Sequence, residues 1–367
     1  MTTESRSLKG AAQAAPVFGD AMTDEERIKN CIDCILAWYP AVRRPLPWRE
    51  APTPYRVWVS EIMLQQTRIE AVRGYYARFL AELPDVWALA AVPEDRLLKL
   101  WEGLGYYSRA RNLQKAARQI VADCGGELPR TAKELKALPG IGAYTAGAIA
   151  SIAWGEPEPA VDGNVLRVIT RVLACPEDIT KPQTRAGMEA LLRERYPRGE
   201  EAGLLTEGLM ELGETLCVPN GEARCADCPL ASLCRAREEG TVERYPVKAP
   251  PRARRIEQRT VLLLHCGERW AVRRREEKGL LARMWEFPNL PGSLSAAEAA
   301  AAAGGAVFSA SPCGEAVHVF THVEWHMCGW KLELPEERGG WVWKTAAEIR
   351  ESCSIPTAFK FYLKQIN

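Results

Sequence analysis

Four cysteines crowd one stretch of the chain: Cys217, Cys225, Cys228 and Cys234, spaced C-x7-C-x2-C-x5-C. Four thiolates at this density can complete a tetrahedral metal site or hold an iron–sulfur cluster. Zinc sites usually use two close pairs, and only one C-x2-C is present. Another C-x2-C, Cys31 and Cys34, stands alone in a helical pattern and reads as packing. Glu61 sits inside an apolar run, VWVSEIMLQQT (Val57 to Thr67). A carboxylate flanked by Ile62, Met63 and Leu64 is costly to ionise, so burial should raise its pKa and suit it to general-acid work. Asp162, followed by Gly163 and Asn164, precedes a helical pattern; spacing alone makes it an N-cap. All four histidines, His265, His318, His322 and His326, lie late in the chain. A site before them must move protons with carboxylates, Tyr, Lys or Cys.

The segment Leu138 to Ile149, LPGIGAYTAGAI, adds a different chemistry. Pro139 ends one helix, and Gly140 and Gly142 permit a tight turn. The next helix opens on free N–H groups, which with the helix dipole attract a phosphate. A plain helix-turn-helix corner is the bland reading of the same residues.

The elements that must position these groups are mainly helical. From about Ala21 to Arg244 the apolar spacing is that of packed helices, with Asp24 as an N-cap of the first. Leu97 to Ile120 predicts two helices broken around Gly103 and Gly105. Thr131 to Ala153 predicts two more, broken at Pro139 and Gly140, and Val165 to Leu173 and Ala186 to Leu216 continue the pattern. After Arg244 the character changes. A Pro- and Arg-rich connector leads to strand-like runs at Thr260 to Leu264, Trp270 to Val272 and Val317 to Met327. The last run alternates, placing Val317, Val319, Val323, Trp325 and Met327 on one side. The chain thus divides into an N-terminal extension (1–21), a helical catalytic domain (22–244), a basic linker (245–257) and an α+β domain (258–367).

Composition bounds the function. The chain has 367 residues, 48 Lys+Arg against 47 Asp+Glu, and 47% hydrophobic residues, ordinary for a globular protein. No apolar run approaches the ~18 residues of a membrane span, and no signal peptide is expected, which points to the cytoplasm and reduced thiols. The net charge of +1 hides a basic block around Arg252, Arg254, Arg255, Arg259 and Arg273 to Arg275, suited to a polyanion. A solvated linker with a charged strand end is the alternative.

These pieces occur in one order: a buried Glu61, the glycine hairpin, Asp162, then the cysteine quartet. Together with WEGLGYYSRARNL (Trp101 to Leu113) and EPAVDGNVLRV (Glu158 to Val168), that order resembles the helix-hairpin-helix DNA glycosylase superfamily, and within it the adenine DNA glycosylases. The resemblance covers roughly residues 30 to 330. It implies a mainly α fold with an iron–sulfur cluster loop, one 4Fe–4S cluster on Cys217, Cys225, Cys228 and Cys234, and excision of adenine paired with 8-oxoguanine or guanine in duplex DNA by a monomer. The family commonly has six residues between its first two cluster cysteines; seven stand here. The cluster would fix a loop carrying Arg224 and Arg235 near DNA.

Breaking an N-glycosidic bond needs a protonated leaving group and a stabilised oxocarbenium-like sugar, hence two carboxylates with separate roles. The resemblance assigns the acid to Glu61 and the cation-stabilising carboxylate to Asp162, ionised in its polar setting and supported by Tyr144 and Asn164. It places Trp48, Arg49, Leu64 and Glu207 at the adenine, and Gln66, Tyr106, Gly140 and Gly142 against the DNA. One of Tyr106 and Tyr107 should pack inside. The related endonuclease III type is the alternative: a lyase whose nucleophilic lysine would stand at Tyr144. Lys133 and Lys136 both precede the hairpin, so no Schiff base is expected. A mismatch-binding protein without activity would lack Glu61 or Asp162, and both are present.

The C-terminal region resembles a Nudix-like domain through GLLARMWEFP (Gly279 to Pro288). Gly292 and Glu298 fit the start of the Nudix magnesium motif, but its next acids would fall on Val307, Ala310 and Ser311. A binding module is what remains. The Phe320-Thr321-His322 loop stands where the family reads 8-oxoguanine; strand-edge packing is the bland role of Phe320 and His322.

Overall fold

A computed structural model of the chain describes residues 22–250 and 253–366. The expected N-terminal extension and Arg252 lie outside them. The first helix, Asp24–Val42, is closed by a capping box: Thr23 accepts from the Glu26 amide, and Glu26 reaches back. Thr23 is therefore the N-cap, and Asp24, expected in that place, is the first helical residue.

The helical region has two apolar cores with a cleft between them. One is built on the Pro54–Leu64, Ile69–Glu82, Ser108–Cys124 and Ala143–Trp154 helices, around Trp58, Met63, Phe79 and Trp101. The other joins Asp24–Val42 with Gly163–Leu173, Pro182–Arg193 and Glu200–Thr215, around Ile28, Val165, Leu205 and Leu212. The lobes meet where Ser151 and Thr206 hydroxyls lie 2.6 Å apart.

The Pro54–Leu64 helix starts cleanly, with Pro54 at its first position and Thr53 accepting from the Arg56 amide. It stops at Leu64, short of the Thr67 that the apolar run suggests. Gln66 adopts φ 56°, which no helix continues. The freed carbonyls of Ile62 and Met63 accept from the buried Arg109 guanidinium at 2.8 and 2.9 Å, and that of Gln65 accepts from the same nitrogen.

The second domain is a mixed sheet of β1 (Arg255–Cys266), β2 (Arg269–Arg274), β3 (Trp285–Glu286), β4 (Asn289–Pro291), β5 (Ser309–Val319), β6 (Val323–Glu333) and β7 (Val342–Thr345). Its order is β3-β2-β1-β6-β5, with β4 paired to β1 and β7 to β2. β1 and β6 run parallel, and the other pairs are antiparallel. β1 begins at Arg255, inside the span expected for the linker, because Arg255 already pairs with Val323. The run Val317 to Met327 is two strands, not one. A turn at Phe320 to His322 sets Val319 opposite Glu324 and His318 opposite Trp325. Val317 and Val319 therefore face solvent while Trp325 and Met327 are buried. Glu298 belongs to a capping box with Ser295 on the Ala296–Ala302 helix, which accounts for it without a metal.

The two domains interlock. Met284 is fully buried within the first helical core. Arg274 pairs with Asp95, Arg283 pairs with Glu94, and Arg111 donates to the Ala282 carbonyl.

Candidate active site

Glu61 projects from the Pro54–Leu64 helix into the cleft and is 5% exposed. The Tyr144 hydroxyl, from the first turn of the helix after the glycine hairpin, donates to Glu61 Oε2 at 3.0 Å. Burial pushes the Glu61 carboxyl up to about 7; the Tyr144 bond opposes that rise, while the charges of Asp162 and Glu207 add to it. Burial also drives the Tyr144 hydroxyl well above its ordinary pKa, so it remains a donor.

Asp162 caps the Gly163–Leu173 helix, as its spacing predicts, with Oδ1 accepting from the Asn164 and Val165 amides at 2.8 Å each. Oδ2 accepts from the Asn164 side-chain amide at 2.9 Å. Burial raises its pKa, opposed by these three donors. The polar setting expected to keep Asp162 ionised is thus real, but burial is the larger influence. Cap and site are one geometry: fixing the helix start also fixes the carboxylate. Asn164 is held in turn by Arg167, which donates to its Oδ1 at 2.8 Å. Gly213 makes room, since a Cβ there would lie 2.6 Å from the Asn164 Cβ. Tyr144, expected to support the step at Asp162, lines the cleft with Asp162 and gives its hydrogen bond to Glu61.

Trp48, Arg49, Leu64 and Glu207 line the same cleft as Glu61, Tyr144, Asp162 and Asn164, around about 710 Å³ of space open to solvent. Glu207 Oε2 accepts from Tyr39 at 2.8 Å and from Arg43 at 3.0 Å. Arg49 donates to Glu211 at 2.9 Å and lies 3.7 Å from Glu207. The lining residues Met210, Glu211 and Glu214 escaped the sequence reading. A signal existed in the spacing of Glu207, Glu211 and Glu214, which shares one helix face.

Two loops flank the cleft mouth. Gln66 and Tyr106 both carry positive φ, 56° and 47°. Tyr106 is 49% exposed while Tyr107 is buried. Arg109 ties the loops together, donating to Thr67 Oγ1 at 3.0 Å and to the Leu104 carbonyl at 3.2 Å. Gly140 turns the hairpin at φ 80°, and Gly142 caps the following helix with open space where a Cβ would stand. Tyr106 reaches the second domain, its hydroxyl 3.5 Å from Thr321 Oγ1. Tyr106, Phe320, Thr321 and His322 line one interdomain cavity. Thr321 and His322 are exposed, but Phe320 is half-buried, edge-on to His318 at 4.5 Å and to Trp325 at 4.9 Å. Phe320 thus fills a packing position in this structure, not a projecting one.

Cys217, Cys225, Cys228 and Cys234 line one cavity of about 30 Å³ together with Val168, Leu212, Leu230 and the arginines Arg171, Arg224 and Arg237. Arg171 donates to Cys217 Sγ at 3.2 Å. Among the described residues no three His, Cys, Asp or Glu side chains are placed to hold a metal ion. The chemistry of the donor set, four thiols lining one cavity, suits an iron–sulfur cluster, which needs thiolate ligands and shelter from water. Arg235, expected near DNA, is half-buried and pairs with the exposed Asp24 at 2.6 Å; Arg224 is exposed and paired with Asp227.

Residues 59–194 match the HhH-GPD superfamily of base excision DNA repair proteins, and residues 259–365 match the NUDIX domain. An adenine DNA glycosylase from Homo sapiens is 35% identical over 70% of this chain and 56% of its own length. One from Rattus norvegicus is 33% identical over 89% of this chain and 76% of its own. The chain thus spans little more than half of the human relative. Among solved structures, a thermostable thymine-DNA glycosylase superposes with TM-score 0.53 and 28% identity, covering 58% of this chain and 98% of that one. An endonuclease III bound non-covalently to DNA gives TM-score 0.50 and 27% identity, covering 59% and 97%. The two-lobed helical fold with its hairpin, carboxylates and cysteine loop defines a member of the HhH-GPD superfamily of base excision DNA repair proteins. Its Nudix-like second domain and relatives such as the rat one, matched over 76% of its length, make the division finer: the chain belongs to the adenine DNA glycosylase family.

Proposed function

We propose that the chain removes adenine paired with 8-oxoguanine or guanine in duplex DNA, by hydrolysing the N-glycosidic bond without cutting the strand. The observation that carries this reading is the trio in one cleft: a buried carboxyl near pKa 7, its tyrosine donor, and a second carboxylate held by three N–H groups. A base inside the stack is out of reach, so adenine must swing out into the cleft. Glu61, protonated in part at neutral pH, donates to the departing base, with N7 its acceptor. Asp162 then faces the cationic sugar and stabilises it, directly or through a transient bond. Trp48 and Leu64 offer apolar faces to the base, and Arg49 and Glu207 polar edges. Tyr144 supplies no amine, so no imine with the sugar can form. Gln66 and Tyr106, on strained loops tied by Arg109, are suited to enter the stack as the base leaves. Thr321 and His322 are suited to hydrogen-bond the oxidised partner base.

Cys217, Cys225, Cys228 and Cys234 would hold a 4Fe–4S cluster, whose part is to order the loop between them. The experiment is incubation with two duplexes, one with adenine opposite 8-oxoguanine and one with adenine opposite thymine. Free adenine should come from the first alone. Release from neither, or equally from both, would overturn the proposal.

A further inference from the structure

The excision cleft does not end at its carboxylates. Arg49, Ile152 and Glu207 line it and also line a second cavity, of about 660 Å³. Two helices show where that cavity lies. The Ala143–Trp154 helix starts at the glycine hairpin and meets the second cavity at Ser151 to Trp154. Between Tyr144, in its first turn, and Trp154 the helix rises about 15 Å. The loop that carries Gln66 sits at the hairpin end, where the Gln65 side chain donates to Thr145 Oγ1 at 3.0 Å. The Glu200–Thr215 helix gives Glu207, Met210, Glu211 and Glu214 to the cleft, and its opening residues Glu200, Gly203 and Leu204 to the second cavity. The second cavity is thus a rear chamber in the seam between the lobes, at the end of the cleft away from the hairpin.

Backbone fixes the walls of this chamber. The Gly199 amide donates to the Gly155 carbonyl at 2.8 Å, and a Cβ at Gly203 would lie 3.2 Å from the Ile152 Cα. The partition between cleft and chamber has one loose point. Glu207 is held by Tyr39 and Arg43, and Arg49 by Glu211, but Arg49 and Glu207 stand 3.7 Å apart, beyond hydrogen-bond reach. The two groups can part while each keeps its anchor. Behind them Trp154 offers a half-buried aromatic face beside Leu204, and Glu50 and Glu200 form an exposed polar rim. A flat heteroaromatic molecule with polar edges suits such a lining.

Excision sets a problem of access. The base enters from the DNA side, and the abasic strand then covers that mouth. We propose that the rear chamber receives the freed adenine and passes it to solvent while the abasic duplex is still bound. The proposal rests on the adenine-excision reading, and it makes Arg49 and Glu207 a gate as well as a polar edge for the base.

The full-length protein, in excess, is mixed with a duplex whose one adenine opposite 8-oxoguanine carries tritium. At successive times one aliquot is treated with alkali, which counts broken glycosidic bonds. A second is passed through a membrane that retains the protein and its bound duplex, and label in the filtrate counts released base. In the parent the two counts should rise together. Leu204→Trp fills the chamber and leaves every lining residue of the cleft in place. Bond breaking should keep its rate, while release of label falls about tenfold or more behind it, the consequence of forcing an overpacked side chain aside. Excess unlabelled duplex, which displaces the product strand, should then free the trapped label. If Leu204→Trp fails to fold, Glu200→Trp, at an exposed rim position, decides in its place. Label that keeps step with bond breaking in the folded variant overturns the rear route, and so does label that waits for the displacing duplex in the parent. Absence of bond breaking in the parent overturns the excision reading itself, so the two failures are distinct.

Discussion

Replacing Glu61 by Gln should stabilise the protein while abolishing excision, and the stabilisation should depend on pH in one direction. The Glu61 carboxyl is held at about 7 against an ordinary 4.5, with burial the main cause. Its folded pKa is above its unfolded one, so its contribution is full below about pH 4.5 and is lost as pH rises through about 7. At about 1.4 kcal/mol per pH unit of displacement, the buried charge costs the fold about 3 kcal/mol at pH 8. Gln carries no charge and can still accept from Tyr144. The variant should therefore match the parent near pH 4.5 and exceed it by about 3 kcal/mol at pH 8. For a domain of this size that is a rise of about 6–12 °C in Tm. The assay is thermal unfolding of both proteins across pH 4.5 to 8, beside single-turnover excision at pH 7. A difference that is absent at pH 8, or equal at both ends, would refute the buried-acid reasoning. Normal excision by the variant would remove Glu61 from its role.

Tyr144→Phe removes the donor that opposes the rise in the Glu61 pKa, so the alkaline limb of single-turnover excision should move up by about one to two pH units; an unmoved or lowered limb would contradict the Tyr144–Glu61 contact. Anaerobically purified protein should contain about four irons and four inorganic sulfides per chain, and Cys228→Ser should lose most of both; stoichiometric zinc without iron would exclude the cluster. Thr321→Val and His322→Ala should each lower the preference for 8-oxoguanine over guanine opposite adenine by about 1–3 kcal/mol, read as a ratio of dissociation constants at one salt concentration, and an unchanged ratio would leave lesion reading to the helical domain. Point substitutions serve here better than truncation near Pro250, which would strip the buried Met284 from the first helical core.

The carboxylates and cysteines were legible because their chemistry conflicts with their surroundings. An acid inside VWVSEIMLQQT must be either paired or functional, and four thiols so close must share a ligand. The glycine hairpin was legible because only glycine turns easily at positive φ. What escaped lay in directions and in long-range pairing. Tyr144 could be placed with Asp162 but not assigned to Glu61, since that depends on how the two lobes face each other. Arg109 was hidden because its partners are backbone carbonyls in distant segments, which leave no mark on residue type. The alternation of Val317 to Met327 misled because four residues separate the paired Val319 and Glu324, which reverses the parity that faces inward. Phe320 shows the same limit: a ring suited to a base stack is also suited to packing, here against His318 and Trp325.

The central claim is hydrolysis of the adenine glycosidic bond by Glu61 and Asp162 without strand scission. Its most direct test uses a duplex with one adenine opposite 8-oxoguanine, resolved on a denaturing gel with and without alkali, beside a separate reaction run in borohydride. The account predicts an intact strand before alkali, cleavage at the adenine position after it, and negligible trapped protein–DNA adduct. Cleavage without alkali, together with efficient trapping, would contradict it.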